Sequence, residues 1–115
     1  MATPNTSVQD LMQILLGQHA ALLAKLNTAT DPKLADAILT EAQEVLHRIN
    51  LTQNLLFVAV NQELTTAVTA VKTADVQLTQ DLQGIADTAK FIDKVTGFLG
   101  YVDKAIDLAK LAAAL

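Results

Sequence analysis

An apolar side chain recurs every seven residues through Phe57, Leu64, Val71, Leu78, Ile85, Ile92, Leu99 and Ile106. Seven residues make about two turns of α-helix, so the series keeps to one helical face, whereas in a strand it would alternate between faces. The second half of the chain is therefore expected to be helical, with these positions as an interaction seam. Gly84 interrupts the series without shifting its phase and decides between two architectures. A turn there gives two helices able to lie side by side as a hairpin, and no turn gives a rod whose seam another chain must cover.

The first half carries the same period with clearer punctuation. Ser7 is expected to cap a helix over about 8–26, and Asp10, three residues on, completes a capping box. At about 100° per residue, Val8, Leu11, Met12, Leu15, Leu16, Leu22, Leu23 and Leu26 share one arc, opposite Gln9, Gln13 and Ala24. Asp31 followed by Pro32 restarts the helix, because Asp caps and proline lacks only an amide that the first turn leaves unused. The next arc holds Leu34, Ile38, Leu39, Ala42, Val45, Leu46 and Ile49, and then Leu51, Leu55 and Val58 fall on its far side. That change of phase predicts a break near Asn50. The expected fold is an all-α antiparallel bundle in a single domain over 1–115, with four helices at about 8–26, 32–49, 52–83 and 86–114. Helices 2 and 3, or 3 and 4, could instead fuse into a longer rod.

Composition narrows the partners. Charged residues make up 17% of the chain, against roughly 25% in an average soluble protein, and a surface of Gln, Thr, Asn and Ala opposes self-association weakly. A homo-oligomer or a helical protein partner is expected. The net charge is -4, Arg48 is the only arginine and aromatic residues amount to 3%, so the chain offers neither the cations nor the stacking platforms that nucleic acid requires. The C-terminal segment places Lys90, Lys94, Lys104 and Lys110 near Asp93, Asp103 and Asp107, which makes a membrane surface the less favoured partner. No basic residue precedes the first apolar stretch, and the uncharged runs 11–24 and 49–62 fall short of the roughly 18 to 20 residues a spanning helix needs. A cytoplasmic location is expected.

Few residues suggest chemistry. Glu44 and His47 have a metal-binding spacing, but the only other glutamates are Glu41 and Glu63 and there is no second motif, so a solvated pair is expected. His19 lies within the apolar arc of its helix. An antiparallel register would bring it level with Glu41, and with Glu63 if the third helix opposes the second. A structural histidine is the expected role of that layer, with a metal site from His19, Glu41 and Glu63 ranked far below it and no cofactor called for. Asp75 intrudes among Val68, Val71, Leu78 and Leu82, and pairing about Gly84 sets it near Lys94 as an ion pair. Ser7 is the only serine, no cysteine is present, and the glycines at 17, 84, 97 and 100 match no phosphate-binding loop. No enzymatic activity is expected. These features favour a non-enzymatic helical interaction or assembly protein over a membrane-active helical protein or a carrier of an apolar ligand in the bundle core.

Overall fold

Each helix begins at a short polar side chain that accepts a hydrogen bond from a free amide of the first turn. Asn5 Oδ1 accepts from the Val8 amide at 3.2 Å, Asp31 Oδ1 from Lys33 at 3.0 Å, Asn61 Oδ1 from Leu64 at 2.8 Å and Asp87 Oδ1 from Lys90 at 2.9 Å. In the computed structural model, which describes residues 3–114, these caps open α1 (Thr6–Thr28), α2 (Pro32–Gln53), α3 (Gln62–Leu82) and α4 (Thr88–Ala114). The chain is an all-α four-helix bundle, 48 Å long and 21 by 18 Å across.

Helix α1 packs against α2 and α3, and α4 against α3 and α2. Around the bundle the order is thus α1, α2, α4, α3, in two layers. Directions follow from residue pairs. Ser7 meets Thr65, Asp10 meets Lys72, Gln18 meets Asp75 and Lys25 meets the Leu82 carbonyl, an ascending series in which α1 and α3 run parallel. The three residues 29–31 between α1 and α2 leave room only for a reversal. Neighbours are therefore not antiparallel throughout, because α2 and α3 stand on a diagonal and residues 54–61 must cross the end of the bundle to join them. Val8, Leu15, Ile38, Val45, Leu64, Val71, Phe91, Val95 and Val102 are fully buried in one apolar cluster drawn from all four helices.

Two boundaries differ from the sequence expectation. Asn5, and not Ser7, caps α1; Ser7 lies inside the first turn, buried, and shares a hydrogen bond with Thr65 at 3.0 Å. Helix α2 continues past Asn50 to Gln53, and α3 starts at Gln62 instead of near 52. The phase change marks the loss of helix over 54–61, and it comes late because Thr52 is buried and its hydroxyl donates to the Arg48 carbonyl at 2.7 Å. Asn5 fixes the crossing segment. Its backbone amide donates to the Leu56 carbonyl at 2.7 Å, and its side-chain amide donates to the carbonyls of Val58 and Ala59. Helices 2 and 3 are not fused, nor are 3 and 4, since the chain turns over 83–87. Gly84 does so without a positive φ.

Candidate functional site

The turn at 83–87 divides the seven-residue seam. Leu64, Val71 and Leu78 on α3, and Leu99 and Ile106 on α4, point into the bundle's own core. Ile85 is half-buried in the connection, while Phe57 and Ile92 are exposed. The continuity of phase across Gly84 is thus a coincidence of two helices, each with its own buried stripe. No rod-length seam is left for another chain.

The layer proposed around His19 does not assemble. His19 is half-buried, Glu41 is buried beside α4, and Glu63 is exposed in the first turn of α3. Because α3 runs parallel to α1, Glu63 sits at the Ser7 end, well below His19. Among the described residues no group of three or more His, Asp or Glu side chains could hold a metal ion. His47 is exposed, and its neighbour Glu44 pairs instead with Arg48 at 3.0 Å.

The polar residue buried in the middle of α1 is Gln18, one position away. It lies under 2.6 Å contact to Asp75 Oδ1, to which its Nε2 donates, and the same nitrogen donates to Thr79 Oγ1 at 3.0 Å. Gln18 Oε1 is buried and accepts no hydrogen bond from the protein. Asp75 is therefore held by α1, and Lys94 pairs with Asp81 at 3.5 Å. The expected Asp75–Lys94 pair fails because Asp75 turns toward the α1 side of α3. On the other side of the bundle Arg48 joins the layers, donating from Nε and Nη2 to the two oxygens of Asp103 at 2.7 and 3.0 Å. Burial, with the charge of Glu44 adding to it, pushes the nearby Glu41 carboxyl above its ordinary pKa despite the opposing pull of Arg48.

Two outer faces remain. Between α3 and α4 runs an open groove of about 420 Å³, with Ala67, Ala70 and Leu108 as its apolar lining and Glu63, Tyr101 and Lys104 beside them. It continues toward Asn61, Leu111 and Ala112 at one end. The α1–α2 face is built differently. Leu16, Leu23, Leu39 and Leu46 are 45, 39, 46 and 45% exposed. Going round α1 at 100° per residue from Gln18, which faces α3, the core residues Leu22 and Leu15 come first, and Leu23 and Leu16 follow on the far side. On α2, starting from Arg48, which faces α4, Val45 and Ala42 precede Leu46 and Leu39 in the same way. All four leucines thus flank the outer groove between α1 and α2. Counting from the 29–31 turn, Leu16 pairs in height with Leu46 and Leu23 with Leu39, to within about 3 Å.

Sequence periodicity assigned all four to the buried arcs. The available signal was the width of the α1 arc, from Leu11 round to Leu16, which at about 140° exceeds the roughly 100° stripe that a helix with two neighbours covers. Charge adds a second signal. The only formal charges on α1 are Asp10 and Lys25, and both are committed to α3: Asp10 to Lys72 at 2.9 Å, and Lys25 to the carbonyls of Leu82 and Ile85 at 3.0 and 2.8 Å. The solvent face of α1 is left uncharged. No known protein family, curated protein or solved structure matches the chain.

Proposed function

We propose that this chain is a non-enzymatic helical assembly protein that docks through the outer face of α1 and α2. The observation that carries the reading is the set of four half-exposed leucines, paired in height, on a face where α1 offers no charge to water. Single exposed leucines are ordinary, but a contiguous apolar patch on a small protein is commonly covered by a partner. The fully buried core is made by other residues, and the four leucines keep close to half of their surface in water. Among the described residues no helix is long and apolar enough to cross a membrane.

Light scattering of the purified chain against the double variant Leu16→Glu/Leu46→Glu tests this. Both sites are half-exposed, so the variant should keep its helical circular dichroism. The wild-type mass is expected to exceed one chain and rise with concentration over the micromolar range, while the variant stays at one chain. A wild-type mass of one chain throughout, or a variant that associates equally well, contradicts the proposal.

A further inference from the structure

We infer that the occupant of the α1–α2 face is a second copy of this chain, related to the first by a two-fold axis through the middle of the four leucines. The inference rests on the assembly role proposed above and names the partner. In a two-fold contact a residue near the axis meets its own copy, so any charge there meets a like charge. This face meets that condition. Asp10 and Lys25 are held by α3, and of the α2 charges Glu41, Glu44 and Arg48 lie in the cleft toward α4 with Asp103, while the exposed Lys33 and Asp36 lie beyond Leu39 toward the 29–31 turn, outside the four leucines. A surface with no charge at its centre is complementary to itself, whereas a charged partner would find nothing there to pair with.

Position supports the same occupant. Leu16 with Leu46 and Leu23 with Leu39 form a square on two antiparallel helices, and a half-turn carries such a square onto itself. Each leucine of one copy therefore meets a leucine of the other across the axis. The stretch of α1 from Gln9 to Asn27 is about 27 Å long. With the bundle 21 Å across, the face measures about 550 Å² per chain, close to the roughly 600 Å² per partner at the lower end of stable interfaces. A micromolar dimer is the expected strength. The other surface that a second copy could offer is the α3–α4 groove, whose lining includes Glu63 and Lys104. Seating uncharged leucines there would strip water from those charges without replacing it.

Because the chain contains no cysteine, single-cysteine variants report geometry cleanly. Ala20→Cys lies midway between the levels of Leu16 and Leu23, and Ala70→Cys lies in the groove of the opposite layer; Ala20 is exposed and Ala70 half-exposed. Each is treated alone, and then both are mixed, with a short bis-maleimide at concentrations where the wild type associates. The two-fold arrangement predicts that Ala20→Cys alone gives covalent dimer in at least about tenfold higher yield than Ala70→Cys alone. It also predicts that Leu46→Glu added to Ala20→Cys abolishes that product. Cross-linking confined to the mixture of Ala20→Cys with Ala70→Cys would overturn the two-fold arrangement in favour of a head-to-tail one, and the assembly role would stand. Equal yields from the two single variants, with leucine-dependent association intact, would do the same. A wild type that scatters as one chain at every concentration would overturn both.

Discussion

On the α3–α4 side of the bundle, Glu63, Lys104, Asp93 and Lys94 border hollows lined by small residues such as Ala67, Ala70 and Gly97, whereas on the α1–α2 side four half-exposed leucines flank a groove to which α1 brings no free charge. The two layers share one core and contribute to it alike, so stability does not explain the contrast. Charges are kept where water remains in contact with the surface. On α1 both formal charges are turned onto α3, and the proposed docking face rests on that difference.

The comparison assumes that the layers fold as one unit, and the strongest perturbation checks that assumption. Leu78 lies in the shared core, so Leu78→Asp should cost about 3 to 5 kcal/mol through an unpaired buried charge. Urea melts followed by circular dichroism and by Tyr101 fluorescence should shift together. Separate transitions would mean that the layers are independent and that their faces cannot be compared as parts of one body. Asn5→Ala comes next. Asn5 both caps α1 and clamps the segment that crosses from one layer to the other, so its loss should cost about 2 to 3 kcal/mol in the same melts.

The joint between α1 and α3 gives a smaller and asymmetric effect. Asp75→Leu leaves the buried Gln18 amide without its closest acceptor and should destabilise by about 1 to 2 kcal/mol. Gln18→Leu removes the orphaned Oε1 as well, and leaves Asp75 and Thr79 free to turn to water, so it should fall within about 1 kcal/mol of neutral or be stabilising. Equal costs would show that the polar contact itself, and not the burial of Gln18, governs the joint. On the α2–α4 side the effect is smallest and depends on pH. The folded-state pKa of Glu41 is raised, so its ionised form costs stability, and that cost grows as pH rises through the folded value. Glu41→Gln should stabilise at pH 7, and the gain should vanish below about pH 4, where the carboxyl is protonated in both states. A gain that persists in acid would trace to packing.

What could be read from the sequence was local. The Asp31-Pro32 start and the apolar stripes of α3 and α4 follow from spacing and capping chemistry, and both are present, whereas spacing left a turn and a continuous rod both open at Gly84. What could not be read was long-range. Asn5 binds carbonyls 53 and 54 residues away, and no periodic pattern reports such a contact; Asn61 as the cap of α3 was visible in principle, but a helix assumed to run through it concealed it. The leucine arc points to His19 as the buried polar residue of α1. Helix α1 is rotated so that its edge, at Gln18, meets Asp75, and the same rotation carries Leu16 and Leu23 out to the surface. One error of rotation thus accounts both for the misplaced histidine and for the overlooked leucine face.

Whether that face is covered in solution can be measured at the leucines themselves. Methyl relaxation induced by a soluble paramagnetic agent, recorded at millimolar and low micromolar protein, compares Leu16, Leu23, Leu39 and Leu46 with Leu111 and Val76, which are also exposed. The account predicts that the four leucines are shielded at high concentration and become accessible on dilution, while Leu111 and Val76 do not change. Four leucines as accessible at millimolar concentration as after dilution would contradict it.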